Sequence, residues 1–228
     1  VGTTPQSTEI TTLKSNNSSI SSSTNGQGNT GKITIDTRGK LLLLNGGNIA
    51  SRIGPTGVGK GNDIKILAQA IDLTNGSFIS SDSVGKFDVK SNENKKLAQE
   101  LGETELLSKI DTDNVGGKGD AGNIDIKTIG DINISGSTPE STAPITSTSD
   151  LSRISSFTNG QGNAGKITID TQNRGKLSLS NRSFITNAIS ERAVGNSPGI
   201  SISARELDLR NQSFINSTNF GGIGDVGN

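Results

Sequence analysis

Seven residues, Gly54-Pro-Thr-Gly-Val-Gly-Lys60, have the spacing G-x-x-x-x-G-K of a phosphate-cradling loop. In such a loop the backbone N–H groups wrap the phosphates, the lysine reaches them, and a following hydroxyl holds Mg²⁺. Here position 61 is glycine, so that hydroxyl is missing. The chemistry also needs a helix after the loop, because the positive end of the helix dipole faces the anion. Instead the chain runs directly into Ile64-Lys-Ile66, an alternating string that reads as a strand. The same turn recurs as NGQGNTGK (25–32), GGKGDAGN (116–123) and NGQGNAGK (159–166), each time just before I-x-I. The glycines therefore read as a repeated corner, and no nucleotide is expected.

Other chemistry meets similar obstacles. Gly116–Asp120 and Gly221–Asp225 approach the calcium nonapeptide G-G-x-G-x-D, but in both the aspartate arrives one position early. The chain has no His and no Cys, which removes imidazole and thiolate ligands and any disulfide. No cofactor and no metal are expected. Glycoside hydrolysis needs two carboxylates about 5–9.5 Å apart. The residues between the I-x-I isoleucines are Thr34, Lys65, Asp125, Thr168 and Ser201. Those between the L-x-L residues are Leu42, Asp72, Asn133, Ser178 and Asp208. Neither row puts acids on successive repeats, and Lys65 with Asp125 reads as ordinary cross-strand compatibility. No catalytic residue is assigned. The N-x-S sequons at Asn75 and Asn211 fall on a repeated asparagine position, and structural asparagine explains them.

The elements that carry these residues follow from a repeat. Ser22–Ile49 returns as Ser155–Ile185, and looser copies begin at Ile64, Ile124 and Ile200. The first isoleucines fall at 33, 64, 124, 167 and 200, in steps of 31, 60, 43 and 33 residues. Removing insertions at 87–118 and 137–151 reduces both long steps to 28. Each period holds I-x-I, then L-x-L, then one Ile after N-x-S-x, with Gly, Asn and Ser between them as turns require. One unit is too thin to bury a face alone, and stacking like strings solves this. The expected fold is all-β: a right-handed parallel β-helix of five to six coils with three short strands per coil. Handedness follows the rule for parallel crossovers. The chain, residues 1–228, reads as one β-helix fragment of a longer protein.

The stacks can be named. Ile33, Ile64, Ile124, Ile167 and Ile200 form one core ladder, and Ile35, Ile66, Ile126, Ile169 and Ile202 the next. Leu41, Ile71, Ile132, Leu177 and Leu207 follow, beside Leu43, Leu73, Ile134, Leu179 and Leu209. The third side holds Ile20, Ile49, Ile79, Ile154, Ile185 and Ile215. Asn45, Asn75, Asn181 and Asn211 make a polar ladder at one corner, interrupted by Gly136. Stacked amides hydrogen-bond along such an axis, and Asn tolerates a left-handed corner. The 87–118 insertion contains the one helix-like stretch, Asn92–Asp111, with Leu97 and Leu101 a turn apart. The 137–151 insertion reads as a loop.

Charge and composition close other routes. Lys plus Arg and Asp plus Glu number 22 each, so there is no basic footprint for nucleic acid. Hydrophobic residues reach only 29 %, and no apolar run is long enough to span a bilayer.

The elements TNGQGNAGKITIDT and LSLSNRSFI, together with GDAGNIDI, resemble filamentous-haemagglutinin-like exoproteins of the two-partner secretion class. They are most similar to the repeat-rich versions common in cyanobacteria. The resemblance covers the chain apart from its two insertions. It implies export through an outer-membrane transporter barrel, and display at the bacterial cell surface or release as an extracellular fibre. It also implies adhesion, with a cell-surface glycan or protein as ligand. The Asn-Pro-rich secretion signature is missing, so the chain resembles the shaft and no adhesive residue is carried over. The functional expectation is a structural and adhesive shaft without catalysis in this segment. The alternative is a β-helix polysaccharide lyase or hydrolase whose active site lies outside it. Unpaired strands at both coil ends predict self-association.

Overall fold

The computed structural model describes residues 10–14, 18–84, 117–137, 151–191 and 193–227, and contains no helix among them. The first coil carries β1 (Ile10–Lys14), β2 (Ser19–Thr24) and β3 (Ile33–Asp36). The next carries β4 (Lys40–Leu44), β5 (Asn48–Ile53) and β6 (Ile64–Ala68), followed by β7 (Ala70–Thr74), β8 (Phe78–Ser83) and β9 (Ile124–Thr128). Then come β10 (Ile132–Ser135), β11 (Arg153–Thr158) and β12 (Ile167–Asp170), and β13 (Lys176–Ser180), β14 (Phe184–Ile189) and β15 (Ile200–Ser203). The chain closes with β16 (Glu206–Leu209) and β17 (Phe214–Asn219).

Every strand pairs in parallel with the strand three places away. This produces three sheets, β1-β4-β7-β10-β13-β16, β2-β5-β8-β11-β14-β17 and β3-β6-β9-β12-β15. The architecture is a parallel β-helix with three strands per coil. Strands this short could not hold a two-layer core by themselves. Stacking gives each one two neighbours and closes the backbone hydrogen bonds along the axis.

Register follows the repeat. Ile33, Ile64, Ile124, Ile167 and Ile200 stand in successive pairs, as do Leu43, Leu73, Ile134, Leu179 and Leu209. Residues 85–116 and 138–150 separate β8 from β9 and β10 from β11, yet neither interval shifts the ladder by one residue. A one-residue slip would turn every inward Ile to the outside. In the middle coils Leu41, Leu43, Ile64, Leu73, Ile124, Ile167 and Ile185 are accordingly fully buried. At the last described coil the core opens. Ile200 is half-buried and Leu209 is 43 % exposed, because no coil packs over them among the described residues.

The helix expected within 87–118 falls outside the described residues. Gly117 and Lys118, assigned by spacing to the end of that insertion, stand in the coil corner. There Lys118 forms bridges to Val58 and Gln161 on neighbouring coils.

Candidate interaction faces and corners

The phosphate-loop look-alike is one step of a corner stack. Between β5 and β6 the turn 54–63 contains no helix, and Gly28, Gly59, Gly119, Gly162, Gly195 and Gly224 lie above one another, one per coil. At Gly162 φ is +140°, and a methyl group there would overlap the Gly119 carbonyl of the neighbouring coil. Glycine is required because two backbones meet where a Cβ would sit. The residue after it supplies the glue. Asn29, Asp120, Asn163 and Asn196 each accept, through Oδ1, the backbone N–H of Lys60, Asn163, Asn196 and Asp225 respectively, at 2.7–2.9 Å. Asp63 and Asn123 do the same for the N–H groups of Asn123 and Lys166 at 3.0 and 2.8 Å.

The asparagine ladder occupies a different corner. Asn45, Asn75, Asn181 and Asn211 all have φ of 52–55°, the left-handed conformation that Asn accepts more readily than most residues. Asn75 Nδ2 donates to Asn45 Oδ1, and Asn211 Nδ2 to Asn181 Oδ1, both at 3.0 Å. Across the Gly136 gap, Asn181 Nδ2 donates to Ser135 Oγ at 3.1 Å.

A third polar row is inside. The position two after each third-side isoleucine points into the coil, and it holds Ser51, Ser81, Ser156 and Asn187, all buried. These side chains hold the glycine-rich corner from within. Ser156 Oγ accepts from Gly165 N–H and donates to the Ser81 carbonyl, both at 2.8 Å. Asn187 Nδ2 donates to the Gly165 carbonyl at 2.5 Å, while its Oδ1 accepts from Gly199 N–H at 3.2 Å and from Ser197 Oγ. The repeated polar residue in ISSST, IASRI, ISSDS, ISSFT and ITNAI was the available signal.

The outward side of the third sheet is chemically the richest surface. Register aligns Asn48, Phe78, Arg153, Phe184 and Phe214 in one row and Arg52, Asp82, Phe157 and Ala188 in another. Between them run the small, buried residues Ala50, Ser80, Ser155 and Thr186. Flat groups stack along the first row. The Arg153 guanidinium lies 4.4 Å from the Phe78 ring centre, and Phe184 and Phe214 are parallel at 5.2 Å.

In the second row Arg52 approaches Asp82 at 3.8 Å. Burial pushes the Asp82 carboxyl above its usual range, opposed by the Arg52 and Arg153 guanidiniums, and its Oδ1 is buried without a hydrogen-bond donor. Burial likewise lowers Arg153, against the pull of Asp82. Arg52 and Asp82 each stand three residues after a third-side isoleucine, so the alignment of repeats contained this pair.

The first sheet carries further ion pairs. Lys40 binds Asp72 at 2.5 Å, and Asp72 also accepts from Asn133 at 3.0 Å. Lys176 bridges Glu206 and Asp208, both at 2.8 Å, and Arg210 binds Asp208 at 2.9 Å. Hydrogen bonds to Asp208 and Glu206 raise the Lys176 ammonium, and those from Lys176 and Arg210 lower the Asp208 carboxyl. Lys65 and Asp125 are register neighbours on the remaining sheet. Among the described residues no three His, Cys, Asp or Glu side chains gather as a metal site. Comparison with known protein families, curated proteins and solved structures found no match.

Proposed function

We propose that this chain is a structural and adhesive shaft segment of a secreted, surface-displayed protein of the filamentous-haemagglutinin-like type, without catalysis in the segment. The observation that carries this reading is the constancy of the stack. Coil follows coil in register across both insertions, held by three separate polar rows, while the outward residues change freely from coil to coil. That division suits a stiff rod whose sides are available for contact. A second support is the outward pairing. Among the described residues, no strand register places one carboxylate opposite another, and the neighbouring carboxylates of Glu206 and Asp208 share the Lys176 ammonium. The sequence resemblance supplies the rest: export through an outer-membrane barrel, extracellular or cell-surface location, and a glycan or protein ligand.

Within this reading Arg52 and Phe214, the exposed members of the two third-sheet rows, mark where a ligand is to be sought. The test is binding of the purified chain to a glycan array and to whole bacterial cells, with product release assayed on every polysaccharide bound. Saturable binding that weakens in Arg52→Ala, with no oligosaccharide released, is the expected result. Released oligosaccharides would overturn the shaft and favour a polysaccharide lyase or hydrolase.

A further inference from the structure

The outward side of the third sheet is closed where the other two sheets are open. Among the described outward side chains of the other two sheets none is buried, whether long as Lys65 and Lys127 or small as Ala70 and Ser178. On the third sheet Ala50, Ser80, Ser155, Thr186 and Ala188 alternate with the inward residues, face outward, and are all buried. Ala70 and Ala188 give the comparison at one residue type: Ala70 is half-buried and Ala188 is 0 % exposed. The closed area is centred on β8, β11 and β14 and fades to both sides. Ser19, Ser21 and Ser23 of β2 are exposed, the Arg52 side chain of β5 is 48 % exposed, and Phe214 of β17 is 44 % exposed.

Three polar atoms inside this area, Ser80 Oγ, Ser155 Oγ and Asp82 Oδ1, are buried with no hydrogen-bond partner. On an open face water would solvate them, and enclosure removes that solvation at a cost for each group. Row neighbours such as Phe157 and Thr218 stand a strand spacing, about 4.8 Å, to either side of Ala188, beside it rather than above it. A sheet face that is outward, enclosed and short of polar partners is one that a further layer of chain packs against.

We propose that residues 85–116 of this same chain dock on the outward face of β8, β11 and β14. Both ends of that segment are fixed at the face. It leaves after Val84, next to the end of β8, and returns at Gly117, whose N–H donates to the Val84 carbonyl at 3.0 Å. With 32 residues between two adjacent attachment points, it has ample length to cross three strands about 4.8 Å apart. Its sequence supplies what the face lacks. Leu97, Leu101, Leu106, Leu107 and Ile110 belong to no ladder and offer apolar side chains to the small residues and Phe rings. Five lysines and seven acids give the segment a net charge of −2, opposite in sign to the Arg52 and Arg153 guanidiniums, which outnumber Asp82. Docking there leaves Arg52 and Phe214 at the margins. This inference does not rest on adhesion, so its failure would leave the glycan experiment untouched.

The chain has no cysteine, so single introduced thiols report on the face. Ser155→Cys and Ala188→Cys place one there, and Lys65→Cys, outward and exposed on another sheet, is the open control. In the full chain both face thiols are expected to react with a maleimide about tenfold more slowly than the control, through local opening. Replacing 85–116 by a short Gly-Ser linker should raise both to the control rate, with circular dichroism and a cooperative melt showing the coils intact. Leu106→Asp with Leu107→Asp in the full chain serves the same purpose if the shortened chain does not fold. Face thiols as reactive as the control in the full chain would overturn the proposal. Protection that survives both changes would assign the face to residues 138–150, and protection lost on dilution would assign it to a second copy; either result overturns the proposal too.

Discussion

Replacing Gly162 with alanine probes the corner that imitates a phosphate loop. Gly162 has φ of +140°, and its added methyl would overlap the Gly119 carbonyl. Holding an L-residue in that region costs about 1–3 kcal/mol. Escape is blocked on both sides, because Gly162 N–H donates to the Val194 carbonyl at 2.8 Å and Gly119 N–H to the Gln161 carbonyl at 2.7 Å. Moving the backbone far enough to seat a methyl sacrifices both bonds, each worth about 0.5–1.5 kcal/mol net. The sum centres on about 4 kcal/mol. For a chain of this size 1 kcal/mol lowers Tm by about 2–4 °C, so Gly162→Ala should melt about 8–16 °C early. Gly26 is the control. It lies in the same type of turn with nothing within 4 Å of an added Cβ, and Gly26→Ala should stay within about 0.5 kcal/mol of the parent. The assay is thermal unfolding followed by circular dichroism and calorimetry. If Gly162→Ala melts within about 2 °C of the parent, the coils do not meet at this corner and the stacking argument fails.

Three further perturbations separate the other rows. Ile169 is fully buried and Leu179 is 1 % exposed, so Ile169→Lys or Leu179→Asp should abolish cooperative unfolding in urea. A near-normal transition in either variant would contradict the ladder. Asn187→Leu removes the partners of the Gly165 carbonyl and Gly199 N–H, and should cost about 1–3 kcal/mol for each buried group left unpaired. Asn187→Ser, which restores the hydroxyl used in other coils, should recover part of this in denaturant titrations. Asp82 has a folded pKa above its unfolded value, so its neutral form is the one the fold prefers. Its contribution is fully present below the unfolded pKa and is lost as pH rises through the folded one. Stability of the parent relative to Asp82→Asn should therefore fall on raising the pH from about 4 toward neutrality. A difference that is flat or rises over that range would refute the assignment.

The ladders were legible because each coil states its own alternation. A residue such as Ile169 sits between two polar neighbours and repeats the environment of Ile126 and Ile202, so period and phase together decide which way it points. The asparagine corner was legible for the same reason, since N-x-S precedes the third strand in several coils. The interior Ser and Asn row was harder to see. A polar residue two positions after an isoleucine has no local mark of burial, and its partner is a glycine turn 9 residues away, as for Ser156 and Gly165.

What the sequence by itself determined was the repeat, the strands, the rungs and the corners, because these depend on side-chain alternation over a few residues. Only the tertiary structure decided what each coil does to the next. It put Asp82 of one coil against Arg52 of its neighbour, with Arg153 71 positions further along the chain. It also turned the Asn and Asp side chains of the corners toward one end of the rod. Those outcomes depend on rotamers, burial and the direction of individual hydrogen bonds across coils. A one-dimensional pattern fixes which residues are neighbours, but not which of two neighbours gives the proton.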